Sequence, residues 1–85
     1  MKLYEACKLH QGRGKWTLMV YGPHVRALEV NETFAVLWQH FYGKAFSEED
    51  VQDYLVSFYG LSRSEACSET AQIVELWQTQ ELLLP

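Results

Sequence analysis

Histidines and cysteines, which commonly bind metals or act as nucleophiles, are few in this 85-residue chain, and they are widely spaced. None of the histidines, His10, His24 and His40, has another histidine, a cysteine or an acid four residues away, the spacing that brings two ligands to one helix face. The two cysteines, Cys7 and Cys67, form no C-x-x-C pair. We therefore predict no metal site and no cofactor, and we expect two buried free thiols.

A cluster of acids is the other candidate for chemistry. It consists of Glu48, Glu49, Asp50 and Asp53. Neighbouring carboxylates can act as general acid and base, but acids in the first turn of a helix also complement the positive end of its dipole. The glycines of Gly12-Arg13-Gly14 form a loop too short to cradle a phosphate. No Ser-His-acid or Cys-His spacing stands out, so we predict no catalytic residues and a protein that is not an enzyme.

Three closely linked helices are predicted in the second half of the chain. Asn31, Ser47 and Ser62 each precede apolar residues at helical spacing, and each offers a side-chain oxygen to the unpaired N–H groups of a first turn. Asp50 and Glu65 follow the two serines by three residues, the spacing of a capping box. The predicted helices span residues 32–42, 48–59 and 63–80, approximately.

Three strands are predicted before the helices. The segment 15–21 is rich in aromatic and β-branched residues, and turn signals flank it at Gly12-Arg13-Gly14 and Gly22-Pro23. The predicted strands span residues 2–9, 15–21 and 25–30, approximately. Two hairpins in series would form an antiparallel meander. The whole chain, 1–85, is therefore predicted to be one α+β domain with a winged-helix-like order of a three-stranded sheet followed by a three-helix bundle.

Charge is distributed unevenly between the two halves of this arrangement. Residues 1–46 carry six basic and three acidic side chains, whereas residues 47–85 carry eight acids and a single base, Arg63. A winged-helix DNA-binding transcriptional regulator is the main alternative suggested by the order of elements. Its third helix would enter a DNA groove, where affinity depends on lysines and arginines that neutralise phosphates. An acidic third helix argues against that alternative, and we expect no nucleic-acid partner.

The predicted sheet is small and has two edges, each with a row of unpaired N–H and C=O groups. An extended peptide can pair with such an edge, while pockets beside it select side chains. The same edge could instead pair with a second copy of the chain, so a homodimer stays possible. The sequence therefore indicates an interaction module rather than a catalyst.

Several segments together resemble the PqqD family, whose founding member serves pyrroloquinoline quinone biosynthesis. The resemblance covers approximately residues 15–83. It depends on the run Val30–Thr33 followed by Ala35, Leu37 and Trp38, then Gly43-Lys44, Phe46–Val51, Tyr59–Ser62 and Leu82-Leu83. Two positions depart from the family pattern: Phe34 stands where the family often has glycine, and Glu81 stands where a glycine usually precedes the final aliphatic pair.

The resemblance implies a peptide-recognition domain that binds the leader of a ribosomally made precursor peptide. Such domains present the leader to a modifying enzyme, often a radical-SAM maturase. The leader is expected to add a strand to the third strand of the sheet, beside the third helix. The implied strand residues are Val25, Arg26, Ala27, Leu28, Glu29 and Val30. The implied helical wall contains Thr70, Ile73, Val74 and Trp77, although Trp38 and Trp77 also have the spacing of ordinary core residues.

The expected location is the cytoplasm. The first residues, Met1–Glu5, lack the apolar stretch of a signal peptide. No apolar run reaches the length of about 18 residues that a membrane span needs, so we expect no membrane partner.

Overall fold

A computed structural model describes residues 1–85 and contains a three-stranded antiparallel sheet followed by three helices. The strands are β1 (Cys7–Gly12), β2 (Lys15–Val20) and β3 (Arg26–Val30), in the spatial order β1-β2-β3. The helices are α1 (Glu32–Phe41), α2 (Glu48–Tyr59) and α3 (Arg63–Thr79). The predicted α+β fold is therefore confirmed. None of the helices is both long enough and apolar enough to cross a membrane.

The first strand differs from its predicted span of about 2–9. β1 begins at Cys7 and continues to Gly12, which pairs with Lys15 across a two-residue turn. Both turn residues, Arg13 and Gly14, have positive φ, at 52° and 76°, as a tight hairpin turn requires. Since the turn is this short, the strand must extend right up to it, past the predicted end.

The segment before β1 pairs with the other end of the chain instead of joining the sheet. Leu3 forms an antiparallel bridge with Leu83, and the Tyr4 amide donates to the Leu82 carbonyl at 2.7 Å. Leu3 and Leu82 are fully buried. The apolar residues that suggested an early strand are thus explained by this pairing of the two termini.

The helices begin where the capping residues predict. The Asn31 side chain accepts a hydrogen bond from the Phe34 amide at 2.8 Å, and α1 starts at Glu32, the residue after Asn31. Ser47 and Ser62 each form a complete capping box, with Asp50 and Glu65 respectively. α2 spans the predicted range, while α1 and α3 each end one residue earlier than predicted.

The end of α3 has a geometry that usually requires glycine. Glu81 has a φ of 56°. The Leu82 amide donates to the Trp77 carbonyl at 2.7 Å, and the Glu81 amide donates to the Gln78 carbonyl at 3.1 Å. These two bonds define a Schellman motif, whose left-handed position is filled here by a glutamate. The helix therefore ends with the geometry that a glycine usually provides, although position 81 is a glutamate.

The core lies between the sheet and the helices and is rich in aromatic rings. Trp77 is fully buried, and its ring meets those of Phe34 and Phe46 edge-on, at centroid distances of 6.4 and 5.7 Å. Phe34 also stacks on Trp38 at 5.8 Å. The bulky residue at position 34 therefore fills the core rather than the surface. Edge-on and stacked aromatic pairs add to the stabilisation from burial alone.

Candidate functional site

β3 forms one edge of the sheet, and the register shows which of its backbone groups face outward. The Tyr21 amide donates to the Ala6 carbonyl, so odd-numbered residues of β2 hydrogen-bond to β1. Because neighbouring residues of an antiparallel strand bond to opposite sides, Leu18 and the other even-numbered residues of β2 bond to β3. Leu18 pairs with Leu28.

It follows that Arg26, Leu28 and Val30 direct their backbone groups toward β2, whereas Ala27 and Glu29 direct theirs away from the sheet. None of the backbone hydrogen bonds that turns, loops and caps make involves a β3 residue. The paired chain termini form no backbone hydrogen bond with β3. The outer edge of β3 is therefore open to another extended chain.

The side chains of β3 alternate between two environments. Leu28 lies opposite Leu18, which is fully buried, so Leu28 and Val30 are on the face of the sheet that packs on the core. Ala27 and Glu29 are on the other, exposed face, where Glu29 Oε1 lies 3.9 Å from Lys15 Nζ. Val25 precedes the strand and has 66% of its surface exposed.

A groove of about 330 Å³ lies next to the end of β3, between the start of α1 and α3. Ile73 and Leu76 give it accessible apolar surface, whereas Leu37 and Leu55, which also border it, are buried. Polar residues complete it: Asn31, Thr33, Glu69 and Gln72. Because Asn31 directly follows Val30, the groove lies close to the C-terminal end of the strand.

The predicted helical wall needs correction. Thr70, Val74 and Trp77 are only 1%, 3% and 0% exposed, so their side chains belong to the core and offer no surface to a bound chain. They lie on the inner face of α3, where a residue recurs every three or four positions. Of the four predicted wall residues, only Ile73 lines the groove.

The wall predicted from the sequence omits two residues that line the groove, Leu76 and Gln72. Leu76 is 40% exposed, an unusual state for a leucine next to a buried tryptophan, and it lines the groove with Gln72. Its position one residue before Trp77 put it just off the apolar stripe of α3. The available signal in the sequence was a leucine beside the apolar stripe of α3.

The opposite end of β3 is tied to the end of α3. The Arg26 guanidinium donates to Gln80 Oε1 at 3.1 Å and also to the Gln80 backbone carbonyl. A cation beside the last carbonyls of a helix is favourable because it complements the negative end of the helix dipole. Arg26 thus helps to hold the strand and the helix together at this end.

A second cavity, of about 520 Å³, lies farther along α3 toward its N-terminus. Residues of α1, α2 and α3 line it together with Leu61 of the loop between α2 and α3. It shares Thr33, Leu55 and Glu69 with the groove beside β3, so the two cavities are neighbours.

The two glutamates that line this second cavity, Glu65 and Glu69, have no basic side chain paired with them. Arg63, the single base of residues 47–85, is paired with Asp53 at 2.5 Å. Neither Glu65 nor Glu69 takes part in an ion pair. Hydrogen bonds from the Ser62 backbone amide and from the Ser62 hydroxyl lower the pKa of Glu65, which keeps that carboxylate ionised at neutral pH.

The residues considered for metal or thiol chemistry do not come together. No group of three or more His, Cys, Asp and Glu side chains is placed to hold a metal ion. Both cysteines are free, and Cys67 is exposed, contrary to the expectation that both are buried. Cys7 is half-buried, and burial raises the pKa of its thiol, which outweighs the opposing effect of Arg26. A raised pKa makes this thiol a poor nucleophile.

Comparison with known proteins finds a solved structure with a similar fold. The fold is similar to that of a solved structure, TbiB1 in complex with the TbiA(beta) leader peptide, with a TM-score of 0.75. The similarity covers 98% of this chain and 94% of that chain, at 14% sequence identity. No family model matches the sequence, and no curated protein matches it. At this level of identity the comparison establishes the fold.

Proposed function

We propose that this protein is a non-enzymatic peptide-binding module that recognises the leader of a ribosomally made precursor peptide. The observation that carries the proposal is the open outer edge of β3, with its outward-facing groups at Ala27 and Glu29, next to the groove at α3. Peptides commonly bind in this way, as an added strand with side chains in adjacent pockets. The fold shared with TbiB1, whose structure was solved with a leader peptide, supports the same role.

The alternation of β3 defines what such a peptide would contact. Every second side chain of an added strand would point toward the core-facing side, where Leu28, Ile73 and Leu76 offer apolar surface. The intervening side chains would lie beside Ala27 and Glu29 on the exposed face. A leader with alternating apolar residues therefore fits this site best.

The bound leader would be presented to a modifying enzyme. The resemblance to the PqqD family suggests a radical-SAM maturase or another maturation enzyme, as in the biosynthesis of pyrroloquinoline quinone and related products. β3 has only five residues, so an extended peptide would pair over a short segment and the rest of the precursor would stay free to enter a second protein. This arrangement suits a carrier that binds one part of a precursor while an enzyme modifies another.

The DNA-binding alternative is less favourable on electrostatic grounds. The exposed side chains of α3 include Glu65, Glu69 and Glu75, while its single base, Arg63, is already paired with Asp53. A helix with this charge would repel the phosphates of a DNA groove. Self-pairing of two β3 edges is a separate possibility that light scattering over a range of protein concentrations would detect.

A selection followed by a titration tests the proposal. Peptides are first selected from a random library displayed against the immobilised protein, and the best is then titrated into ¹⁵N-labelled protein. We expect the amide signals of Ala27 and Glu29 to shift and their hydrogen exchange to slow, since these N–H groups would gain partners. Failure to select any peptide, or shifts confined to α2 and β1, would refute the proposal.

Substitution at the strand edge provides the matched control. Ala27→Pro removes an N–H that faces away from the sheet, a position where proline leaves the bonds to β2 intact. Ala27→Val keeps the N–H and adds side-chain bulk. We expect A27P to reduce peptide affinity by about tenfold or more, as the loss of a backbone pairing site would, while A27V binds nearly as well as the wild type.

A further inference from the structure

The cavity at the N-terminal end of α3 has a composition that points to a particular kind of side chain. Tyr59 and Leu61 give it exposed apolar surface, and Glu65 and Glu69 place two carboxylates at the same cavity. Lysine and arginine combine an apolar stem with a cationic head, and they bury the stem while keeping the head near charge or water. A pocket with an apolar wall and carboxylates suits such a side chain.

The two carboxylates are available to a ligand. The base next to them in sequence, Arg63, is held by Asp53, and no other cation pairs with either glutamate. Glu65 accepts a hydrogen bond from the Ser62 amide through Oε1 at 3.1 Å, but no cationic side chain neutralises its charge. The negative potential at this cavity is therefore not balanced within the chain.

The cavity also lies next to the groove beside β3. Thr33, Leu55 and Glu69 line both, so one extended chain could reach from the groove to the cavity. Along α3, Glu69 lies seven residues before Leu76, which corresponds to roughly 10 Å at the rise of a helix. Glu65 lies a further turn away, roughly 16 Å from Leu76.

We propose that this cavity is a second recognition pocket, which receives a lysine or arginine side chain of the same peptide that pairs with β3. The proposal rests on the proposed function, since it assigns a further part of one bound peptide. Leu61, which is half-buried, contacts the stem of the basic side chain, Glu65 and Glu69 pair with its head, and the exposed ring of Tyr59 is available for a cation–π contact. The position of the cavity next to the groove and its complementary charge both favour this occupant.

The geometry also predicts the spacing of the motif. An extended peptide advances about 3.3 Å per residue, so the distances along α3 correspond to roughly three to five residues. The basic residue should therefore lie about three to five positions from the apolar residue that contacts Leu76. It lies toward the Val30 end of β3, on the N-terminal side if the peptide runs antiparallel to the strand.

Parallel selections from one random peptide library test this pocket. The targets are the wild type and the variants Glu69→Gln, Glu65→Gln and Glu75→Gln. Glutamine keeps the size of the side chain, and at position 65 it can still accept the capping hydrogen bond. Glu75 is exposed on α3 but lines neither cavity, so E75Q controls for the loss of one negative charge.

We expect wild-type selections to enrich a basic residue at one fixed distance from an apolar residue. E69Q should lower the affinity for such a peptide by about three- to tenfold, the effect expected when a partly enclosed ion pair is lost, and E65Q should act in the same direction. E75Q should leave the affinity within about twofold of the wild type. Replacing the basic residue of the peptide by norleucine should remove the difference between wild type and E69Q.

The outcomes separate this inference from the proposed function. Enriched peptides that bind at Ala27 and Glu29 but show no fixed basic residue would refute the second pocket and leave the peptide-binding role standing. If E69Q and E75Q weaken peptide binding equally, the overall negative charge of α3, rather than the cavity, attracts the peptide, and this result would also refute the pocket. If the wild type self-associates and E69Q abolishes that association, a second copy occupies the cavity, which overturns the proposal. Failure to enrich any peptide would overturn both.

Discussion

The Arg26 guanidinium makes two hydrogen bonds to Gln80, one to its side-chain oxygen at 3.1 Å and one to its backbone carbonyl. Arg26 is the first residue of β3 and Gln80 caps the end of α3, so the bonds join residues 54 positions apart in sequence. They fix the separation of the strand and the helix at the end of β3 that lies opposite the groove. The planar fork of an arginine suits this double contact.

Removal of the Arg26 side chain should therefore lower the free energy of unfolding more than removal of the Gln80 side chain. Arg26→Ala eliminates both bonds, and we expect it to lower the free energy of unfolding by about 1–2 kcal/mol, as for hydrogen bonds with one charged partner that are partly exposed. Gln80→Ala keeps the backbone acceptor and should cost about half as much. Urea denaturation of both variants checks the order, and a Q80A variant as unstable as R26A would contradict it.

The helices of this fold can be predicted from sequence because their boundaries are local. Asn31, Ser47 and Ser62 each place a side-chain oxygen within reach of the first turn that follows, and each begins a helix in the structure. The first strand was harder to predict, because its start depends on a contact across the whole chain. Leu3 is taken out of the sheet by its bridge to Leu83, and no local pattern records that pairing.

Glu81 provides a test of strain at the end of α3. Its φ of 56° lies in the left-handed region, which costs a residue with a side chain roughly 1–2 kcal/mol. Glu81→Gly should relieve that cost and stabilise the protein by about 1 kcal/mol, after allowing for the greater flexibility of glycine in the unfolded chain. In a domain of this size the melting temperature should rise by about 4–8 °C.

Two further variants separate strain from charge at this position. Glu81→Ala removes the negative charge but keeps Cβ, so we expect no comparable gain. Glu81→Asn should lie between them, since asparagine tolerates the left-handed region better than most residues. Equal melting temperatures for E81A and E81G would show that charge, rather than backbone strain, is responsible.

The hairpin turn offers a second, independent site of strain. Arg13 has a φ of 52° in a two-residue turn whose other member is Gly14. Asn-Gly is the pair that such turns favour most strongly. Arg13→Asn should therefore stabilise the protein by about 0.5–1 kcal/mol, measured by thermal denaturation, while Arg13→Ala should give no gain. A destabilised R13N variant would argue against this turn geometry.

The strand side of the candidate site could be predicted better than its helical side. Alternation along residues 26–30 separates Leu28 and Val30 from Ala27 and Glu29, and the register shows the same division. On α3, periodicity identifies the stripe of Thr70, Val74 and Trp77, but that stripe packs into the core. Which flank of the stripe faces the groove depends on where β3 lies in space, so Leu76 could not be assigned from periodicity alone.

The capping box of α3 predicts a pH dependence of stability. Hydrogen bonds from Ser62 lower the pKa of Glu65 in the folded protein below its ordinary value of 4.5. A group whose pKa falls on folding stabilises the folded state fully above its unfolded pKa, and this contribution is lost as the pH falls through the folded pKa. The stabilisation from Glu65 should therefore be present at neutral pH and disappear below about pH 4.5.

Glu65→Gln keeps a hydrogen-bond acceptor for the cap but cannot ionise, so its stability should lack this contribution at every pH. Denaturation curves measured from pH 3 to 7 should show that the wild type exceeds E65Q most at neutral pH and that the difference shrinks in acid. Glu75→Gln, which removes the same charge from the same helix outside the cap, controls for net charge. A difference between wild type and E65Q that stays constant down to pH 3 would mean that the ionised carboxylate contributes nothing through the cap, and that the bond to the Ser62 amide is as strong with a neutral acceptor.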